Sequence, residues 1–339
     1  MRLSKEVINY IERNDCEMQS SREVVKSTIE FKTPSRLAYD FNVKHGSDFF
    51  WTFMNPYVDA RLFKGTDEWG AVWDNVGVCS LGEVKTYPLK DWADFDKLNI
   101  PDITKPERWT CFEGLREKVG EKFILGGGIS IYERIHFIRG LEDTWVDIYE
   151  SRDELCKLLD ILVDMNLYTV KKYQEADLDG YFIWDDWGLQ DSLMISPDIW
   201  REIWKPRYKK IFAAAHEAGL YTFMHSCGYI VDILDDLIEI GLDVINMDQQ
   251  KNMGIELLGS RFGGRITFFS PVDIQAVLPT GDLDEIKEYA LDMVELLGRP
   301  EGGLIPKCYS DPVGAGHSPE ATDAMCGEFF KISKEKYGM

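Results

Sequence analysis

A histidine and two cysteines have the types and spacing of metal ligands. His225 and Cys227 stand two positions apart directly after the apolar run YTFM, and Cys308 ends a second apolar run, GLIPK. If both runs are strands of one sheet, the three side chains meet at one edge, where nitrogen and sulfur atoms can bind zinc tetrahedrally. Three protein ligands leave a position for substrate, which is typical of catalytic zinc sites. Sulfur-rich ligation suits activation of a thiol or polarisation of an ether or alcohol oxygen.

The same three residues have an alternative explanation without a metal. Cys227 and Cys308 would then be small buried side chains, and His225 a core histidine with satisfied hydrogen bonds. That explanation is sufficient for a lone cysteine. A His-x-Cys pair at one strand end together with a cysteine at another favours a zinc site, so we predict His225, Cys227 and Cys308 as metal ligands.

Carboxylates follow two other apolar runs. Asp185 and Asp186 come directly after YFIW, and Glu133 follows the glycine-rich run KFILGGG. Adjacent carboxylates at a strand end can act as acid or base, orient metal ligands, or cap the following loop. Glu133 can line a pocket or form an internal ion pair with Arg134. We predict Asp185, Asp186 and Glu133 as catalytic residues and leave the choice between the two aspartates open.

Further candidates lie at or just beyond the ends of these runs. We predict five substrate-binding residues: Tyr132, Trp187, Gln249, Asp273 and His317. His317 has an ordinary alternative as a loop histidine beside a helix N-cap. Aromatic residues near the same ends suit a flat aromatic substrate, although packing explains most of them equally well. They are Trp51, Phe53, Tyr57, Trp69, Trp73 and Trp187.

The elements that must position these residues alternate between short apolar runs and helical patterns. From residue 122 onwards the apolar runs are KFILGGG, YFIW, YTFMH, DVINM, RITFFS and GLIPKC. Strands that are apolar throughout are typical of a parallel sheet covered on both faces. No GxGxxG or GxxxxGK[ST] phosphate loop occurs among them. We therefore predict an α/β fold with a single (β/α)8 TIM barrel, in which the chemistry lies at the carboxyl ends of the strands.

The rest of the sequence is predicted to extend and cover this barrel. Residues 1–34 form an N-terminal helical extension, in which Ser20 and Glu23 make a capping box, and residues 35–339 form the barrel, with a first strand at 35–41. A Trp-rich segment from about residue 55 to 101 has the short β-like pieces of hairpins and loops at the barrel mouth. Ser151 begins a second capping box, and Pro206 splits the helix that contains it.

Composition and charge exclude several classes of partner. The chain has 339 residues, of which 59 are acidic and 38 basic, and a formal net charge of −21. This charge repels nucleic acid and anionic lipid, and no segment approaches the ~18 consecutive apolar residues of a membrane helix. Seven scattered cysteines without a secretion signal indicate reduced thiols and a cytoplasmic location. We expect neither nucleic acid nor a membrane as a partner.

Several segments resemble one known superfamily. They are VVKSTIEFKTPSRLAYDF, DEWGAVWDN, YPLKDWADFD, DDWGLQDSLMISPDIWREIWKPRYKKIFAAAHEAG, MHSCGYI and GGLIPKC. From about residue 22 to 337 the chain is similar to the uroporphyrinogen decarboxylase superfamily, in the branch that contains cobalamin-dependent methyltransferases. The resemblance implies a (β/α)8 barrel whose mouth encloses the substrate. It also implies zinc on a His-x-Cys pair and a later cysteine, which His225, Cys227 and Cys308 match.

The same resemblance implies a reaction. The arginine-rich MRQAGR segment of the decarboxylases is missing here, and the corresponding stretch YDFNVKHGSDFFW disfavours a tetrapyrrole with many carboxylates. The implied activity is zinc-dependent methyl transfer between a small O-methyl substrate, such as a methoxylated aromatic, and a corrinoid on a partner protein. Asp185 or Asp186 would orient or protonate the leaving oxygen. A thiol methyl acceptor, decarboxylation of a small acid and a non-catalytic binding protein are the alternatives.

Overall fold

The computed structural model describes residues 19–56, 64–74 and 82–337. Residues 1–18 of the predicted N-terminal extension lie outside these ranges, as do Cys16, Tyr57 and Cys79. Across the described part of the chain, no helix is both long and apolar enough to span a membrane.

Parallel strands form the centre of the fold. The described strands are β1 (Phe49–Thr52), β2 (Gly65–Thr66), β3 (Val72–Asp74), β4 (Glu83–Thr86), β5 (Phe123–Gly127), β6 (Gly180–Trp184), β7 (Tyr221–His225), β8 (Val244–Asn246), β9 (Thr267–Ser270) and β10 (Leu304–Pro306). β1 and β5 to β10 pair in parallel and in chain order, whereas β2 to β4 form a small antiparallel sheet in the Trp-rich segment. The predicted α/β barrel fold is confirmed.

A single residue closes the ring between the first and last strands. Asp40 donates its N–H to the carbonyl of Pro306 (2.9 Å) and accepts from the N–H of Cys308 (2.9 Å). On its other side Asp40 bridges Ser47, just before β1. The predicted strand at 35–41 is therefore wrong in extent. The chain turns back directly after this bridge, and β1, which the sequence pattern did not indicate, takes the place beside β5.

Helices surround the sheet. The described α-helices are α1 (Ser21–Ile29), α2 (Leu115–Val119), α3 (Glu133–Arg139), α4 (Leu141–Glu150), α5 (Arg152–Glu175), α6 (Pro197–Ile203), α7 (Lys205–Glu217), α8 (Val231–Glu239), α9 (Ile255–Phe262), α10 (Leu283–Asp292) and α11 (Pro319–Tyr337). Short 3₁₀ turns occur at Trp92–Lys97, Pro106–Phe112, Gln250–Asn252 and Leu278–Thr280, and a π-helical turn, Met293–Leu297, follows α10.

Three local predictions about these helices can be compared with the structure. The capping box of Ser20 and Glu23 is present, and the helix around Pro206 is split into α6 and α7. The capping box at Ser151 is wrong, because its side chain makes no capping hydrogen bond. Ser151 follows α4 directly and donates its N–H to Asp147 O of that helix, so its backbone cannot take the extended N-cap conformation.

Aromatic side chains fill the barrel interior. Phe223 packs there with Phe49 and Phe269, while its neighbour Met224 packs in the outer core between sheet and helices. Successive strand residues point to opposite faces, so the next inward position after Phe223 is His225, at the mouth. Each buried phenylalanine contributes roughly 1.5–3 kcal/mol. This interior cluster therefore stabilises the strands that carry the polar side chains at the mouth.

Helix α1 closes the opposite end of the barrel. Val24, Val25 and Ile29 belong to the same apolar cluster as the interior phenylalanines. On its polar side Arg22 donates to the fully buried Asp179 (2.6 Å). The predicted boundary between residues 34 and 35 stays a prediction, and the described part of the extension packs as the floor of the barrel.

Candidate functional site

Adjacent strand ends place three inward-facing side chains side by side at the barrel mouth. Trp184, His225 and Asn246 are register partners across β6, β7 and β8. The loop after β6 begins with Asp185 and Asp186, which brings these carboxylates beside the loop after β7. The predicted meeting of polar residues at one rim is therefore found for this part of the barrel.

Asp186, His225 and Cys227 form a compact group of metal-ligand atoms. One ligand atom from each residue lies within 4.8 Å of the other two. His225 Nε2 is 3.2 Å from Cys227 Sγ and 3.4 Å from Asp186 Oδ1, which also accepts the Cys227 N–H at 2.7 Å. Imidazole nitrogen, sulfur and carboxylate oxygen are all zinc ligands in proteins. The group therefore fits a zinc ion.

Two glycines let the loops that carry this group touch. A Cβ atom on Gly188 would lie 2.3 Å from Tyr229 N, and one on Gly228 would lie 2.3 Å from Gly188 O. Gly228 also has φ +75°, a conformation that side chains disfavour. The contact allows Gly188 N–H to donate to Cys227 O (3.1 Å), and Gly228 N–H donates to Gln249 Oε1 (2.7 Å). Gln249 thus supports the loop after β7.

Negative charge surrounds the group. The pKa of the Cys227 thiol is raised well above its ordinary value, mainly by burial and further by the carboxylates of Asp186, Asp248 and Glu133. The pKa of Glu133 is likewise raised well above its ordinary value, mainly by burial and further by Asp186 and Asp185. Both shifts favour the protonated forms. A divalent cation at this position would offset the repulsion and favour the Cys227 thiolate.

The two adjacent aspartates have different surroundings. Asp185 is completely buried, and its carboxylate accepts hydrogen bonds from the backbone N–H groups of Ile131, Tyr132 and Glu133 and from the Tyr208 hydroxyl. Burial raises its pKa to about 6. Asp186 is the aspartate that faces His225 and Cys227. Of the two, only Asp186 therefore lies in the group with His225 and Cys227, while Asp185 holds the chain that leads into α3; the catalytic role of either aspartate stays a prediction.

Two predicted substrate-binding residues are packed inside the protein. Tyr132 and Trp187 are fully buried and stacked on each other, with ring centroids 3.7 Å apart and planes inclined by 12°. The Tyr132 hydroxyl accepts from Trp145 Nε1 (3.0 Å), and Trp187 Nε1 donates to the Tyr208 hydroxyl (3.0 Å). With their polar atoms used internally, both support the loop between β6 and α6.

Asp273 and His317 are also buried and bonded to the protein. The Asp273 carboxylate accepts backbone N–H groups of Gln275, Ala276 and Lys251, and so caps its own loop. His317 Nε2 lies 3.0 Å from Ile274 O. Neither residue belongs to the group around His225, and their predicted role in binding substrate stays a prediction.

Cys308 lies apart from the other two predicted metal ligands. Its Sγ is 3.5 Å from Sγ of the buried Cys326 on α11. The pKa of the next residue, Tyr309, is raised to about 12, mainly by burial and further by Asp248 and Cys227. Tyr309 therefore lies near the group. The loop of Cys308 therefore borders the site, while its thiol faces Cys326.

Aromatic rings line the mouth on the side of β1. Trp51 and Trp184 are partly exposed, with ring centroids 6.0 Å apart, and Phe53 stacks against Trp184 at 5.9 Å. Trp69 and Trp73 are buried and hydrogen-bonded to Asp67, Trp69 through its backbone N–H and Trp73 through Nε1, so packing explains them. Trp184, beside His225, was not among the predicted residues.

Two polar residues at inward positions were also missed. Asn246 ends β8 beside His225, and Lys307 follows β10 with its Nζ 3.4 Å from Asp248 Oδ1. Both occupy alternate positions after an inward apolar residue, Val244 for Asn246 and Ile305 for Lys307. A polar residue two positions after an inward apolar one is the signal that could have identified them.

Comparisons with known proteins agree with this architecture. Two curated relatives, methylcobamide:CoM methyltransferases MtbA of Methanosarcina mazei and Methanosarcina acetivorans, are 24% identical over 180 residues, which is 50% of this chain and 52% of theirs. The chain thus spans about half the length of the curated relatives it matches. A solved methyltransferase from Methanosarcina mazei covers 93% of this chain, and 99% of that chain is covered, with a TM-score of 0.68 and 18% identity, which shows a shared fold.

These relatives confirm the predicted resemblance to the methyltransferase branch of the superfamily. The family described as uroporphyrinogen decarboxylase (URO-D) matches residues 81–307, more than half of the chain. The matched segment contains β5 to β10 and the group of Asp186, His225 and Cys227, and it stops one residue before Cys308. The chain belongs to the uroporphyrinogen decarboxylase family.

Proposed function

We propose that this protein is a zinc-dependent methyltransferase that exchanges a methyl group between a small O-methyl substrate and a corrinoid carried by a partner protein. The observation that carries the proposal is the group of Asp186, His225 and Cys227 at the mouth of the barrel. The names of the curated relatives support methyl transfer from a cobamide. The cobalt of the corrinoid would be the atom that accepts or gives the methyl group.

The proposed metal ligands are His225, Cys227 and Cys308, with Asp186 as a carboxylate of the same site. The mixture of nitrogen, sulfur and oxygen donors fits zinc better than magnesium or calcium, which prefer oxygen ligands. Bound zinc supplies a Lewis acid for the heteroatom that carries the methyl group. To bind the metal, Cys308 must leave its contact with Cys326, so the proposal requires the loop after β10 to change conformation.

Glu133 is the proposed proton donor. Burial and the neighbouring carboxylates raise its pKa, which favours the protonated form, and the side chain is partly exposed at the mouth. A neutral carboxylic acid at this place can give its proton to a leaving oxygen. Asp186, which accepts the Cys227 N–H, orients the metal-binding loop instead.

The aromatic rings favour a flat substrate. Trp184 is the register partner of His225, and Trp51 and Phe53 pack against it, so this cluster of rings suits stacking on a methoxylated aromatic compound. A thiol acceptor similar to coenzyme M is the second candidate, because the curated relatives are methylcobamide:CoM methyltransferases.

Two measurements test the proposal. Elemental analysis of the purified full chain should find about one zinc per chain, with a loss of zinc in Cys308→Ser and none in the matched variant Cys326→Ser. In the second measurement, a corrinoid protein reduced to Co(I) is mixed with the enzyme and a methoxylated aromatic, and methyl-Co(III) is followed by absorbance. Demethylation of methylcobalamin by a thiol, without reaction of the methoxy compound, would replace the first substrate class by the second. A folded protein that binds no zinc would refute the proposal.

A further inference from the structure

A buried amide contacts the imidazole of His225 on the side of the ring away from Cys227. Asn246 is 3% exposed, and its Oδ1 lies 2.9 Å from His225 Nδ1. This contact is on the side of the ring opposite to Cys227 and Asp186. Asn246 therefore touches the proposed metal ligand without belonging to the metal group.

The orientation of this amide is fixed by its other neighbours. Asn246 Nδ2 donates to Phe269 O (2.7 Å) and to Asp248 Oδ1 (3.0 Å). Both partners are acceptors, so the amide nitrogen must face them, and the amide oxygen must face His225. The Lys307 ammonium, 3.4 Å from Asn246 Oδ1, is a donor on the oxygen side and supports the same orientation.

An oxygen at this position determines which ring nitrogen carries the hydrogen. Because Asn246 Oδ1 can only accept, Nδ1 of His225 must be the N–H, and the lone pair of the neutral ring is then on Nε2. Nε2 is the atom that lies 3.2 Å from Cys227 Sγ. Asp248 Oδ2 is 3.9 Å from Nδ1, too far to replace the amide.

We propose that Asn246 is a positioning residue that selects the Nδ1–H tautomer of His225 and so presents Nε2 to the metal. Outer hydrogen bonds of this kind orient histidine ligands and change metal affinity when they are removed. The inference uses the metal site of the proposed function, but the tautomer itself exists without metal.

The tautomer is read directly by NMR. In the full chain labelled with ¹⁵N-histidine and freed of metal, His225 should show a protonated Nδ1 and an unprotonated Nε2, with its signals assigned by their loss in His225→Gln. Asn246→Leu removes the acceptor and should mix the tautomers. Asn246→Asp loses the donor to Phe269 O and Asp248 Oδ1 but keeps an acceptor oxygen for Nδ1, so it should retain the wild-type tautomer. An Nε2–H tautomer in the wild-type protein would overturn the proposal.

Zinc affinity, measured by competition with a chelator, gives the second result. Asn246→Leu should weaken zinc binding by ~10–100-fold, and Asn246→Asp should be closer to wild type. The matched control is Asn166→Leu, another buried amide, whose hydrogen bonds go to Ile129, Leu162 and Tyr181 and not to His225, Cys227 or Asp186. Equal zinc affinities in Asn246→Leu and Asn166→Leu would contradict the proposal. If the wild type binds no zinc, the proposed function fails, and the tautomer measurement still decides the role of Asn246.

Discussion

Substituting Gly188 by alanine would push apart the two loops that carry the metal group. The new Cβ would lie 2.3 Å from Tyr229 N, 2.4 Å from Gly228 C and 2.7 Å from Cys227 O. All three atoms belong to backbone, so no side chain can rotate away. Because carbon atoms normally approach to about 3.5 Å, one loop must move by roughly 1 Å.

The cost of this movement follows from the contacts that it breaks. Overpacking of a tight site costs ~1–3 kcal/mol. The hydrogen bonds Gly188 N–H to Cys227 O (3.1 Å) and Tyr229 N–H to Leu189 O (2.7 Å) contribute about 1 kcal/mol each and would both be strained. We therefore expect Gly188→Ala to lower the free energy of unfolding by about 3 kcal/mol. Asp186 would also move away from His225, so zinc affinity should fall.

Urea unfolding and chelator competition measure the two effects. The matched control is Gly327→Ala on α11, where a Cβ would meet nothing within 4 Å. Alanine in a helix interior is more stable than glycine by roughly 0.5–1 kcal/mol, so this variant should be slightly stabilised and keep its zinc affinity. A Gly188→Ala protein with wild-type stability and zinc affinity would refute the argument that backbone contact between these loops holds the metal group together.

Three further predictions concern charged groups. Asp186→Asn should weaken zinc binding by ~10-fold or more and should unfold like wild type. Asp185→Ala should lower the free energy of unfolding by about 3 kcal/mol, because three buried N–H groups lose their acceptor. Chelator competition and urea unfolding distinguish the two variants, and an exchange of the two effects would contradict the assignment. Asp147→Ala should lower the free energy of unfolding by about 3–5 kcal/mol, because it leaves the buried Arg139 guanidinium without the carboxylate 2.8 Å away. Urea unfolding measures the change, and a decrease of less than 1 kcal/mol would disprove the prediction. The hydrogen bond to Asp243 raises the pKa of His216 above its ordinary 6.5, so the stabilisation from this contact is complete below pH 6.5 and is lost as the pH rises through the raised pKa. His216→Gln should therefore lose less stability than wild type as the pH rises above 6.5, and parallel curves of unfolding free energy against pH would exclude the effect.

Periodicity and strand ends were sufficient to predict the barrel and part of the site. His225 and Cys227 could be predicted because a polar pair directly after an apolar run has one natural position in a parallel barrel, namely the mouth. The predicted strand YTFMH, which ends on His225, matches β7 residue for residue. The strand at 35–41 failed because only the tertiary bridges of Asp40, to Ser47 before β1 and to Lys307 after β10, decide how much of that segment is extended.

Other parts of the site depend on information that adjacent residues do not carry. Asp185 and Asp186 have the same chemistry, and only the pleat of the chain after β6 decides that one is buried under α3 and the other faces Cys227. Cys308 lies two residues beyond the end of β10 rather than at its end as predicted, and the direction of its thiol depends on Cys326, which lies on a helix eighteen positions later in the chain. Such contacts are set by packing between elements that the local sequence does not specify.

Asn246 shows which part of this information the sequence does contain. The alternation that points Tyr221 and Phe223 inward also points His225 inward, and the same parity applied to β8 places Asn246 inward after Val244. A buried amide at such a position needs partners for both of its ends, so it must lie between groups that donate and groups that accept. The inward and outward alternation along each strand, combined with a check that every buried donor and acceptor has a partner, would identify the residues that hydrogen-bond to metal ligands as well as the ligands themselves. In this barrel it leads from the His-x-Cys pair to the amide that holds its histidine.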